Sequence, residues 1–310
     1  MLTESSLWVV VLAGGEGRRL ASATVDPSGT HVPKQFCRFG SDRSVLTHAL
    51  ERAGRLVEPD RVVAMVQAAH RRWWEQELRG LPRTNVIAQR GNRGTAVAVL
   101  HALGEILQRD REAHLLVLPS DQEVEDERAW AATLRRAADA ALGLPEHVVL
   151  VGVEPQADPD FGWIVPGERS AEGTRTVVGF SEKPSAVEAA RLVRRGALCS
   201  AFVFAASSAA FLDLFSRHPC EPIAQRARAL CGSVTEFGSA SATEQDLPYS
   251  DFSHDLLEHA PERARVVSGA PCGWTDLGTP ERLRRWLERH GPAAPKQGAT
   301  LLHPIAGIAG

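Results

Sequence analysis

The sequence lacks any CxxC pair: its five cysteines, Cys37, Cys199, Cys220, Cys231 and Cys272, are odd in number and scattered along 310 residues. That argues against a disulfide framework or a zinc ribbon and fits a reducing cytoplasm. The eleven histidines show neither HExxH nor another metal-ligand spacing. There is no basic excess either. Thirty-five Lys and Arg against 38 Asp and Glu leave a net charge of −3, without the broad basic surface that nucleic-acid binding needs. No apolar run reaches membrane-spanning length. The run Leu7–Ala13 is too short, and Glu4 stands where a signal peptide carries basic residues. Internal repeats and heptads are absent. What remains, 44% hydrophobic and 24% charged, is the composition of a globular protein with one large α/β domain or two small ones.

The chain alternates short apolar runs with amphipathic segments. Leu7–Ala13, Arg61–Val66 and His114–Leu118 read as buried strands, with weaker runs at Thr84–Ala88 and His147–Val151. Ser44–Leu56, His70–Leu78, Gly94–Gln108 and Asp126–Leu142 have helical length and period. This alternation predicts an α/β fold with a Rossmann-like, doubly wound, mostly parallel or mixed sheet. Ligands of such sheets lie beyond the carboxyl ends of the strands, so chemistry is expected just after Ala13, Ala88 and Leu118. Beyond Val153 the rhythm changes. Strands are expected at Phe161–Pro166, Arg175–Ser181 and Ser200–Ala205, and helices at Ala186–Arg195, Ala209–Arg217, Pro222–Cys231 and Pro280–Arg289. A Ser/Gly/Thr-rich loop falls at Gly238–Thr243, and a loosely packed Pro/Ala/Gly-rich tail at 291–310. This half reads as a lobe built onto the same sheet.

Directly after the first strand comes Leu12-Ala13-Gly14-Gly15-Glu16-Gly17-Arg18-Arg19-Leu20. Gly14, Gly15 and Gly17 let backbone N–H groups approach phosphate oxygens, and Arg19 adds a planar cationic fork. A dinucleotide loop needs GxGxxG and a Walker loop needs GxxxxGK[ST]; neither is met. A plain tight turn stays open. Pro33-Lys34-Gln35 sets a second cation within loop reach, although Lys34 by itself reads as a solvated lysine.

The run LAGGxGxRL followed by PKQF resembles the sugar-1-phosphate nucleotidyltransferase family, and most of all its mannose-1-phosphate guanylyltransferase branch. The likeness extends from Val10 to about Leu283. Gln89-Arg90-Gly91-Asn92-Arg93-Gly94-Thr95-Ala96 resembles the base-contacting EPxxRNTA segment. Leu118-Pro119-Ser120-Asp121-Gln122 resembles LPADH, whose aspartate binds magnesium. Phe161-Gly162-Trp163-Ile164 is similar to the sugar-side (Y/F)GYI turn, and Phe180-Ser181-Glu182-Lys183-Pro184 to FxEKP, whose acid contacts the sugar and whose lysine contacts its phosphate. Gly273-Trp274-Thr275-Asp276-Leu277-Gly278 resembles GW(S/T)D(V/L)G, which carries a second magnesium aspartate. Ser253-His254-Asp255 resembles SID and makes Asp255 a weaker candidate.

The resemblance implies joining an NTP, GTP favoured, to a hexose 1-phosphate, mannose 1-phosphate favoured, with pyrophosphate released and Mg2+ as cofactor. It implies nucleotide contacts at Leu12, Ala13, Gly14, Gly15, Gly17, Gln89, Gly94, Thr95 and Asp121. Sugar-phosphate contacts are implied at Gly162, Glu182, Lys183 and Cys199, metal ligation at Asp121 and Asp276, and catalytic cations at Arg19, Lys34 and Lys183. The corresponding organisation is a catalytic domain over 1–290, with a nucleotide-binding half at 1–152 and a sugar-phosphate half at 153–290. Several positions depart from the branch. Cys199 replaces the asparagine of an NSG turn and Ala201 its glycine; Gln89 replaces glutamate, Gly94 asparagine and Arg18 threonine; the WPLSR run is missing before Pro33. The stretch after Gly291 is too short for the β-helix or isomerase domain that many relatives add, so a bare catalytic unit is expected.

Such chemistry asks for charge neutralisation and alignment of two anions, since the attacking phosphate oxygen is already charged. Other uses of these residues stay open. Asp121 or Asp276 could cap a helix, although Thr279 before Pro280 is the better cap for the last one. Glu182 and Lys183, adjacent in a strand, should face opposite sides and so divide sugar from phosphate. Trp163 and Trp274 read equally as core or pocket wall. Two further functions remain: a non-catalytic nucleotide-sugar-binding relative, motivated by Cys199 and Ala201, and a same-fold transferase using another sugar phosphate or NTP. Neither nucleic acid nor membrane is an expected partner, and any assembly, a homodimer first, would use the core surface.

Overall fold

Seven residues without a charge, Leu7–Ala13, gain most from a place where both faces of a strand are covered. In the structure, a computed structural model describing residues 6–155, 158–171, 173–231 and 246–291, they form the interior strand β1. β1 pairs in parallel with β2 (Val62–Gln67) and β4 (His114–Pro119), and β2 pairs with β3 (Val86–Gln89). Beside β4 the direction reverses: β9 (Leu198–Ser207) runs antiparallel to both β4 and β6 (Val148–Val153). β10 (Ala264–Ser268), β8 (Arg175–Glu182) and β7 (Gly162–Arg169) complete a nine-stranded sheet of order β3-β2-β1-β4-β9-β6-β10-β8-β7. A separate ribbon joins β5 (Gln122–Glu123) to β11 (Thr275–Asp276).

Helices bury their apolar stripes on both faces, so the sheet is doubly wound. α1 (Val45–Gly54), α2 (Arg71–Glu77), α4 (Glu127–Gly143) and α5 (Ala186–Arg194) cover one side. α3 (Gly94–Leu107), α6 (Ser208–Ser216), α7 (Glu221–Cys231) and a π-helical turn at Ser253–Leu257 cover the other. α8 (Pro280–His290) packs Leu283 and Trp286 against Leu20, Phe39 and Val45. β3 begins later than its apolar run suggests, because Thr84 and Asn85 belong to a turn. Buried Asn85 donates through Nδ2 to the Asp60 and Val62 carbonyls, 2.8 Å each. β10 had no counterpart among the expected strands, and the Gly238–Thr243 loop and the tail beyond 291 lie outside the described residues.

One buried ion network holds the β5–β11 ribbon to the domain. Arg52 on α1 donates to the Gln122 carbonyl at 2.6 Å, to Glu123 at 2.9 Å and to Glu127 at 2.7 Å. Removing one partner of a buried ion pair leaves an uncompensated charge. Arg52→Met should therefore lower stability by about 3 kcal/mol in urea unfolding; an unchanged midpoint would contradict this role for the network.

Candidate active site

The cleft, of about 350 Å³, opens at the carboxyl ends of β1 to β4, where strand-end logic places it. Its floor is the glycine loop, and the loop's shape is set by a side chain. Gln35 donates through Nε2 to the Ala13 carbonyl at 2.9 Å and the Gly15 carbonyl at 2.8 Å, which leaves the loop's N–H groups aimed elsewhere. Gly17 sits at φ +65°, and a Cβ there would lie 3.1 Å from the Lys34 backbone nitrogen. Leu12, Gly14, Gly15 and Arg19 line the cleft, whereas Ala13 packs into the core and Gly17 serves the turn. Two buried amides, Gln67 and Gln89, lie under Gly14. Gln67 closes a β-strand and gave no sequence signal of a site role.

At the α3 end of the cleft, Gly94 opens the helix at φ +86°, and a Cβ there would sit 2.0 Å from the Ser250 carbonyl oxygen. Only glycine allows that approach. The Ser250 carbonyl instead accepts the Ala96 N–H at 3.1 Å. Thr95 accepts the Phe252 N–H at 2.8 Å and donates to Asp251 at 3.2 Å.

The centre of the cleft is a charge cluster drawn from three distant segments. Lys34, 8% exposed, places Nζ 2.8 Å from Asp121 Oδ2 and 3.3 Å from Asp276 Oδ1. Burial disfavours the ammonium, but the two carboxylates outweigh it and hold its pKa above the ordinary lysine value. Asp276 is likewise desolvated, yet Lys34 and Arg282 keep its pKa below the ordinary carboxylate value. Arg282, buried on α8, reaches Asp276 Oδ2 at 3.0 Å and Asp158 at 3.0 Å. In the sequence it is one of several arginines on an amphipathic helix, and nothing there marks it. Arg19 pairs with Asp160 at 3.0 Å. Neither metal candidate caps a helix: Asp126 caps α4 and Thr279 caps α8.

At the opposite end of the cleft the structure departs from three expectations. Lys183 does not oppose Glu182 across a strand. It lies just past β8 at φ +47°, and its ammonium pairs with the Glu182 carboxylate, so both line the cleft together. Burial raises the Glu182 pKa, with Lys183 opposing and Asp251 and Glu258 adding to the rise. Cys199 does not reach the cleft. It is fully buried opposite Trp163 in the β7–β9 ladder, and alternation along β9 presents Ser200 instead. An irregularity in β9, with Phe202 at φ +52°, brings Phe202 to the cleft as well. Asp255 is also off the cleft: it accepts from the Ser250 hydroxyl at 2.7 Å and the Asp251 N–H at 2.9 Å, and Asp251 takes the lining position. Gly162 lies where a Cβ would come within 2.7 Å of Glu182 Oε2. Trp163 is core; Trp274 is wall, donating to Gln122 Oε1 at 3.0 Å. Among the described residues no three His, Cys, Asp or Glu side chains gather into a ready-made metal cage.

A doubly wound sheet with a glycine loop after β1, Asp121 beyond β4 and Asp276 on β11 has the layout of a nucleotide-binding fold. The chain belongs to the nucleotidyl transferase family, whose pattern matches residues 8–289. A mannose-1-phosphate guanylyltransferase of Salmonella muenchen is 28% identical over 89% of this chain and 58% of its own length. One of Escherichia coli K12 is 26% identical over 90% of this chain and 59% of its own. The chain thus spans about three fifths of the curated relatives it matches. A Thermus thermophilus structure, described as a mannose-1-phosphate geranyltransferase, has a TM-score of 0.76 at 30% identity, covering 91% of this chain and 79% of that one. The inositol-1-phosphate CTP transferase of T. maritima, 16% identical with a TM-score of 0.55 over 91% of this chain and 96% of that one, shares the fold.

The contact at Gly94 yields a direct test. Gly94→Ala should cost about 2 kcal/mol or more of stability, from an unfavourable φ and a clash with the Ser250 backbone. A variant with the wild-type melting temperature and nucleotide affinity would show that the approach is not required.

Proposed function

We propose that the chain transfers a nucleotidyl group from an NTP, GTP by preference, to a hexose 1-phosphate, mannose 1-phosphate by preference, releasing pyrophosphate. The observation that carries this reading is Lys34 held between Asp121 and Asp276 beneath the glycine loop, with Arg19 and Lys183 in the same cleft. The named guanylyltransferase relatives support the choice of base and sugar.

In-line attack on the α-phosphorus needs no strong base, because the sugar phosphate oxygen is already anionic. It needs two anions brought together. Backbone N–H groups of Gly14 and Gly15 with Arg19 and Lys34 receive the triphosphate, Gln89 and Thr95 face the base, and Lys183 takes the sugar phosphate. Glu182 accepts from sugar hydroxyls, with Gly162 leaving room for its carboxylate. The donors fit magnesium: the ammonium of Lys34 shows that both carboxylates converge on one cationic point, and hard oxygen ligands suit this ion. Asp121 and Asp276 would hold it, and when bound it neutralises phosphate charge and stabilises the leaving oxygen. Cys199 and Ala201, the two departures that favoured a non-catalytic relative, are both buried and neither lines the cleft, which supports the catalytic reading. The setting that suits this reading is the cytoplasm, as a homodimer or a single chain.

Asp121→Asn should reduce pyrophosphate release by at least about a hundredfold with the fold preserved by circular dichroism. Near-normal release would overturn the metal assignment. A grid of NTPs against sugar 1-phosphates should peak at GTP with mannose 1-phosphate; a different peak relocates the specificity, and turnover with no pair overturns the proposal.

A further inference from the structure

We propose that Asp251 is a second carboxylate of the sugar subsite, and that it selects a hexose whose ring carries hydroxyl or amino groups over one that carries a carboxylate. This rests on the nucleotidyl-transfer reading above and deepens it.

Asp251 lines the cleft together with Glu182, Lys183, Ser200 and Tyr249. It is fixed there. Its Oδ1 accepts the N–H groups of Ser253 and His254, both at 3.0 Å, and its Oδ2 accepts the Thr95 hydroxyl at 3.2 Å. An ionised carboxylate has about four acceptor positions, so these three donors leave capacity for a ligand. The backbone beneath it is anchored as well. Ser250 donates its N–H to the Arg93 carbonyl at 3.0 Å, and its hydroxyl sits 2.7 Å from both His218 Nε2 and Asp255 Oδ2. The His218 ring has a single consistent arrangement: Nδ1 accepts the Cys220 N–H at 2.9 Å, so Nε2–H donates to Ser250 and the Ser250 hydroxyl donates to Asp255. Asp251 is therefore an acid held in place by the fold.

Its charge reaches the subsite: after the larger effects of burial and of the Glu182–Lys183 pair, Asp251 adds an upward push to the pKa of both Glu182 and Lys183. Lys183 is the one cation among the five side chains named, and the sugar phosphate claims it. The ring then faces two carboxylates. Hydroxyl and ammonium groups donate to such acceptors, whereas a ring carboxylate meets two like charges with no second cation among these side chains to offset them. A site built from fixed acceptors also discriminates more sharply than an apolar one.

The test compares wild type with Asp251→Asn, which keeps an oxygen for the backbone donors, and Asp251→Ser, which keeps a capping hydroxyl. Calorimetry with GDP and with GDP-mannose separates the nucleotide from the sugar, and the forward assay compares mannose 1-phosphate with glucuronic acid 1-phosphate. The expected result is GDP affinity unchanged within about twofold, GDP-mannose affinity down about tenfold, and the preference for mannose 1-phosphate reduced about tenfold. Unchanged GDP-mannose affinity or unchanged preference in a folded variant would overturn the assignment. An equal loss for GDP and GDP-mannose would also overturn it, by making Asp251 a support for α3 alone. Failure of the wild type to bind GDP at all would instead bring down the underlying reading, and this inference with it.

Discussion

The site depends on a buried lysine. An ammonium 8% exposed would be costly alone, and it is tolerated because two carboxylates from elsewhere in the chain meet it. The three groups come from a loop after β1, the end of β4 and the ribbon before α8. Each is thus a constraint on the other two. The fold brings their backbones close by pairing Asp276 with Gln122 across the ribbon, and Arg52 ties that ribbon to α1. The charge on Lys34 is matched to its partners by the fold itself, so the electrostatics of the cleft are organised in advance.

Around this centre, polar side chains fix backbone more than they face the cleft. Gln35 holds two carbonyls of the glycine loop, and the Ser250 carbonyl lies against the start of α3. The segment 249–252 bridges the two halves of the cleft: it touches α3 through Thr95 and lies beside Glu182 and Lys183. The two ends of the cleft are therefore linked through this segment by hydrogen bonds.

Much of this was legible in the residues. The uncharged run at Leu7–Ala13 and the apolar one at His114–Leu118 could only be buried strands, and the cleft lies where such strands end. The Thr279-Pro280 start of α8 is a local signal, and Thr279 does cap that helix. What was hidden is of another kind. Lys183 faces Glu182 because the chain turns left-handed just past the strand, which alternation along a strand cannot foresee. Cys199 and Ser200 exchange roles because register decides which of two neighbours sees the cleft. Asp251 displaces Asp255 because the turn before the π-helical segment needs an acceptor at its start, and Arg282 is invisible among the arginines of its helix. These are tertiary facts carried by short-range geometry.

Whether the cleft joins two phosphates at an α-phosphorus is asked most directly by the reverse reaction. The purified chain, supplied with GDP-mannose, magnesium and radiolabelled pyrophosphate, should place label in GTP, and Lys34→Met should abolish that exchange while the protein stays folded. Absence of label in GTP, from a wild-type chain that binds GDP-mannose, would contradict it.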